Sequence, residues 1–184
     1  MTSSVVPCFA VLTILASTLQ AGAPADIALD GFALADPNLT IDLVAAEPNI
    51  EDPVAMCFVD DLLFVCEMRG FQLGEQGRNL EGRGRIRQLE DRDRDGYYEH
   101  ASVFADRLLH PTAIHPYKQG ILVGAPPDIL YFQDTDKDGV ADVKRILFSG
   151  FGTGNHERLI NSFYWGLDNW ISACAGGTGG ANRN

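Results

Sequence analysis

Short apolar runs separated by turns of Asp, Gly and Asn dominate residues 39–175. That spacing predicts strands and hairpins, and helical periodicity is missing from residue 24 onward. Leu39-Thr-Ile41-Asp-Leu43-Val44 alternates apolar with polar and predicts a first strand. Val54 to Val59 and Leu62 to Glu67 predict a hairpin turned at Asp60-Asp61, with Cys57 facing Phe64 and Cys66 facing Ala55. Arg85 to Leu89 and Ala101 to Phe104 supply two more strands. Thr112 to His115, Gly120 to Gly124, Asp128 to Gln133 and Val143 to Phe148 repeat the set, and Ser162 to Leu167 with Asn169 to Ala175 begin a third.

A nine-residue pattern, D-x-D-x-D-G-x-x-[DE], joins the last two strands of each set. It occurs as Asp91, Asp93, Asp95, Gly96 and Glu99, and 43 residues later as Asp134, Asp136, Asp138, Gly139 and Asp142. A period in the forties with four strands per unit predicts blades of a β-propeller. The expected fold is all-β: an incomplete propeller over 39–184, with blade one at about 54–104, blade two at about 112–148 and the start of blade three at about 162–175. Two and a half blades cannot close a ring of four to eight, so a longer protein supplying the remaining blades is expected, and the 184 residues are expected to be inactive alone.

Ahead of the strands, Val5 to Leu19 is an uncharged apolar run followed by small residues at 21–25. It predicts a signal peptide over 1–23 and a linker over 24–38, hence an exported protein, periplasmic, extracellular or at the cell surface. Membrane association is expected only where the segment stays uncleaved. A net charge of −11 and a pI near 4.6 exclude nucleic acid as an expected partner. Cys57, Cys66 and Cys174 remain after cleavage and read as small buried residues.

Carboxylates at positions one, three, five and nine, with Gly at six for the sharp turn, suit a hard cation, and calcium is the expected ion. The metal candidates are Asp91, Asp93, Asp95, Glu99, Asp134, Asp136, Asp138 and Asp142. The pattern is not an EF-hand, because position twelve is Ser102 or Arg145 where a bidentate Glu is required. Solvated Asp-Gly turns without metal are the alternative.

Alternating strand direction puts the Asp loops at one end of the blades. The opposite end gathers Glu67, Arg69, His110, Asn155, His156, Arg158 and Asn161 where a central channel would open. His156, with a pKa near neutrality, is the candidate general base, and Arg158, Glu67 and Arg69 are the other catalytic candidates. His110, Asn155 and Asn161 are the candidates for binding substrate or cofactor. For Glu67, Arg69 and Arg158 the alternative is ion pairs bracing the blades. Trp165 and Trp170 read as core. Gly150 to Asn155 is no dinucleotide fingerprint, since no helix follows.

Leu39 to Pro48, Asp52-Pro-Val-Ala-Met56, Val65 to Gly70, the Asp loops, Gly150 to Asn155 and Trp165 to Trp170 together resemble one family. It is the set of large secreted proteins of planctomycete type labelled membrane-bound dehydrogenases or haem-binding Cys-x-x-Cys-His proteins. Their N-terminal domain is similar to the propellers of soluble quinoprotein glucose/sorbosone dehydrogenases. The resemblance implies an oxidoreductase acting on a sugar or alcohol, with a quinone-type cofactor and an electron acceptor at the channel mouth. The haem motif does not occur in this chain, so haem is not expected here, and the Asp60-Asp61 turn is shorter than the family's. A non-catalytic propeller binding extracellular glycan or protein is the alternative.

Overall fold

The computed structural model describes residues 29, 31–69, 82–154, 156–177 and 180–183. The expected signal segment, Asn155 and residues 70–81 of the Gly-rich loop lie outside them, as do the side chains of His156 and of 180–183.

Strands β1 (Pro53–Val59), β2 (Leu62–Glu67), β3 (Gly84–Glu90) and β4 (His100–Leu108) form one antiparallel sheet in that order. Cys57 pairs with Phe64 and Cys66 with Ala55, as the hairpin reading requires. Strands β5 (Ala113–Tyr117), β6 (Gly120–Ala125), β7 (Asp128–Gln133) and β8 (Val143–Phe151) form the second meander. β9 (Asn161–Trp165) and β10 (Ile171–Cys174) form a separate hairpin after a 3-10 turn at His156–Arg158. The fold is all-β, a partial propeller-like set of antiparallel sheets, none closed among the described residues.

Two features depart from the sequence reading. Residues 39–44 are not a strand. Alternation predicts a half-buried strand, but a strand also needs a neighbouring edge: here Leu39 and Ile41 are exposed, and the Val44 carbonyl accepts from the Tyr98 N–H of a loop. The second sheet also gains a fifth strand, β11 (Gly180–Arg183), against the outer edge of β8.

One side of the first sheet packs on the second sheet. Phe64, Cys66, Ile86 and Phe104 meet Ile114, Ile121, Val123, Leu130 and Phe132 in one buried cluster. Phe64 and Phe104 stand edge to face with centroids 4.9 Å apart, worth about 0.5–1.5 kcal/mol beyond the area they bury. The other side of the first sheet carries Leu63, Val65 and Leu89, covered by Val44, Ala45, Ile50 and Tyr98. Position 120, where β6 begins, takes glycine because a Cβ there would lie 2.0 Å from the Phe132 carbonyl oxygen.

Candidate functional site

The two Asp loops fold alike. Position four takes positive φ in both, 62° at Arg94 and 63° at Lys137, and so does the glycine at position six, 96° at Gly96 and 87° at Gly139. The Gly96 N–H donates to Asp91 Oδ2 at 2.9 Å, and the Gly139 N–H to Asp134 Oδ2 at 2.8 Å. The Tyr97 N–H donates to Asp95 Oδ1 at 2.7 Å, and Val140 repeats this to Asp138 Oδ1 at 2.8 Å. Across each loop, position two donates to the carboxylate at position nine: Arg92 to Glu99 at 3.3 Å, Thr135 to Asp142 at 3.1 Å. Alternate carboxylates therefore fold inward over their own amides.

Ligand atoms of Asp91, Asp93 and Glu99 lie within 4.8 Å of one another, as do those of Asp134, Asp136 and Asp138. Asp95 and Asp142 stand outside these groups, and Asp142 Oδ2 also accepts from Thr135 Oγ1 at 2.5 Å. Glu99 Oε2 is buried and has no hydrogen-bond partner, although Oε1 is engaged. An orphaned carboxylate oxygen beside two more carboxylates is a donor set that fits a hard cation. In the second loop the Asp138 charge is the main force pushing Asp136 up. Burial also pushes Asp134 up, but hydrogen bonds from the Gly139 and Lys137 amides more than offset it, and its pKa lies below the usual range. Mutual repulsion at Asp136 is what a cation would relieve.

At the opposite end, β2 and β3 hold a charged network. Glu67 is 0 % exposed and faces Arg85 across the ladder. Glu67 Oε2 pairs with Arg85 Nε, while Oε1 accepts from the Glu51 N–H at 2.8 Å and lies 3.8 Å from Arg87 Nε. Arg69 Nε donates to Glu51 Oε2 at 2.8 Å. Arg87 Nε donates to the Asn49 carbonyl at 2.8 Å, and its pKa is lowered by burial first and by the Arg85 charge second.

Glu67 and Arg69, read from sequence as catalytic candidates or as an ion pair, are joined through Glu51 and Arg85. The hairpin pattern alone missed Glu51, Arg85 and Arg87. The register of β2 on β3 sets Glu67 against Arg85, and the alternation of β3 puts Arg87 on the same face.

The remaining candidates are dispersed. His110 is buried at the β4–β5 joint with φ 42°, ahead of buried Pro111. Next to it, Thr112 Oγ1 donates to the Ile160 carbonyl, tying the joint to the segment before β9. Asn161 turns its amide onto the Leu159 carbonyl at 3.1 Å. Arg158 is exposed in the 3-10 turn, with its carbonyl against Gly176. Trp165 and Trp170 are exposed rather than core, because the two-stranded β9–β10 hairpin leaves one face uncovered. Among the described residues, no helix is long and apolar enough to cross a membrane.

No curated protein and no solved structure matches the chain. The family described as domain of unknown function DUF7133 matches residues 27–183. That span takes in every strand and both Asp loops, and the chain belongs to this family.

Proposed function

We propose that the chain forms blades of an exported β-propeller that binds a small sugar or alcohol at the end opposite the Asp loops, with calcium in those loops. The observation that supports the binding reading is the network around Glu67. Arg85, Arg87 and the buried carboxylate fix Glu51 and Arg69, whose side chains stay 43 % and 37 % exposed. A fixed carboxylate acceptor beside a fixed guanidinium donor matches the paired hydroxyls of a sugar or polyol. Glu67 itself holds its neighbours rather than moving a proton, since both its oxygens are engaged.

Calcium would sit on Asp91, Asp93 and Glu99 in one loop and on Asp134, Asp136 and Asp138 in the other. It would supply positive charge that lets the carboxylates stay together, and take no part in chemistry.

The motif resemblance over residues 39–180 to dehydrogenase propellers favours a second reading, an oxidoreductase of the same ligand class. It calls for a quinone-type cofactor, an acceptor at the channel mouth and residues from further blades.

Titration calorimetry against a panel of monosaccharides and polyols tests the first reading. Binding by the wild type and by Asp93→Ala/Asp136→Ala, lost in Arg69→Ala, supports it. Binding to no member of the panel sinks it. Sugar-dependent dye reduction that appears on adding a quinone cofactor favours the oxidoreductase.

A further inference from the structure

The charged side chains around Glu67 do not balance. Glu51 and Glu67 are joined to Arg69, Arg85 and Arg87 in one set of ion pairs. A guanidinium keeps its charge at any ordinary pH, so three of them against two carboxylates leave one positive charge in excess. The excess is local. The chain as a whole carries −11, and the Asp loops at the other end hold eight carboxylates, four in each.

Each guanidinium spends its Nε on the protein. Arg69 Nε donates to Glu51 Oε2 and Arg87 Nε to the Asn49 carbonyl, both at 2.8 Å, and Arg85 Nε pairs with Glu67 Oε2. Among the described residues, the one Nη contact in the set is Arg85 Nη2 at 3.9 Å from Glu51 Oε2, too long for a hydrogen bond. The paired Nη nitrogens are the fork that takes an oxyanion through two parallel bonds. Arg85 and Arg87 stand two residues apart on β3, on one face, and neither is fully closed off: their side chains are 15 % and 13 % exposed. Arg87 feels the excess, since the charges of Arg85 and Arg69 add to burial in lowering its pKa.

We infer that the ligand at this end is an acidic sugar, one bearing a carboxylate or a sulfate ester, whose oxyanion is held by the Nη groups of Arg69, Arg85 and Arg87 while a neighbouring hydroxyl donates to Glu51. This rests on the sugar-binding reading above and narrows its ligand class. It is independent of calcium in the Asp loops.

A neutral sugar offers hydroxyls alone, which leave the excess charge unanswered. A sugar acid offers an oxyanion for the guanidiniums and, a few bonds away, a hydroxyl for the carboxylate beside them. The oxyanion answers the charge with hydrogen bonds in which donor and acceptor are both ionised, about twice as strong as neutral ones.

Titration calorimetry of the 184-residue chain tests it with glucose, glucuronate, the methyl ester of glucuronate and glucose 6-sulfate. The ester keeps the shape of the acid and removes its charge. Glucuronate or glucose 6-sulfate should bind at least about tenfold more tightly than the ester and glucose, and Arg69→Ala should lose that binding. The tighter of the two acids identifies the oxyanion. Neutral probes that bind as tightly as the acids overturn the inference and leave the sugar-binding reading standing. Acid binding that survives Arg69→Ala also overturns it, since the anion then sits elsewhere. Binding of none of the four overturns it too, and silence across the neutral monosaccharides and polyols as well removes the reading on which it rests.

Discussion

Glu67 and Arg85 face each other across the β2–β3 ladder, and their side chains pair where Glu67 is wholly shut off from solvent. A buried carboxylate is tolerated only while its cations and donors stay in place. Glu67→Gln leaves Arg85 and Arg87 uncompensated, with an expected loss of about 3–5 kcal/mol of stability. Among the described residues Arg69→Ala breaks a half-exposed pair with Glu51, for which about 0–1 kcal/mol is expected. Urea unfolding of both variants checks the contrast, and equal losses would mean that Glu67 is not the centre of the network.

The loop glycines differ in what surrounds them. Both take positive φ, so alanine at either costs on the order of 1 kcal/mol of strain. A Cβ at Gly96 meets nothing within 4 Å, whereas one at Gly139 comes 3.4 Å from Ser102 Oγ and 3.5 Å from Gln88 Nε2. Those are ordinary van der Waals distances, so denaturant midpoints should fall by about the same amount for Gly139→Ala and Gly96→Ala, and a much larger fall at Gly139 would mean that the second loop cannot give way against Ser102 and Gln88.

The thiols give a pH dependence. Burial pushes Cys57 from 9.0 up to about 12 and raises Cys66 well above its usual value, with the neighbouring Cys57 adding to the latter shift. The folded protein holds these protons where the unfolded chain releases them. Their contribution to stability is complete below pH 9 and is lost as pH rises towards 12. At pH 8, iodoacetamide should modify exposed Cys174 and spare Cys57 and Cys66 until denaturant is added. Mass spectrometry of the alkylated peptides reads the order, and early labelling of Cys66 would contradict its burial.

Much of the strand order was legible because apolar runs end at turns with their own chemistry, Asp60-Asp61 and the Asp loops among them. The backbone of the loops was legible too, since Gly96 and Gly139 sit where positive φ is needed. Residues 39–44 read as a strand because alternation records residue types and is silent about a covering sheet or a pairing edge; Leu39 and Ile41 are exposed. The Glu67 network was less legible: residues 68–83 separate β2 from β3, and a connection of that length, unlike a two-residue turn, does not fix the register that sets Glu67 opposite Arg85. Trp165 and Trp170 read as core because a tryptophan's preference for burial assumes that the covering strands are present.

Calcium-dependent stability is the most direct test that the Asp loops hold the fold while the opposite end takes the ligand. Asp93 and Asp136 suit the test because the Asp95 and Asp138 amides reach them only at 3.4 Å, so removing them costs the loops little by themselves. Melting temperatures are measured with calcium and with chelator for the wild type, Arg69→Ala and Asp93→Ala/Asp136→Ala. Calcium at a hundredfold excess over Kd stabilises by about 2.7 kcal/mol per site. With both loops filled, the wild type and Arg69→Ala should each rise by on the order of 10–20 °C, and the double variant should barely move. An equal rise in all three proteins places calcium elsewhere, and no rise in the wild type makes the loops plain Asp-Gly turns; either result contradicts the account.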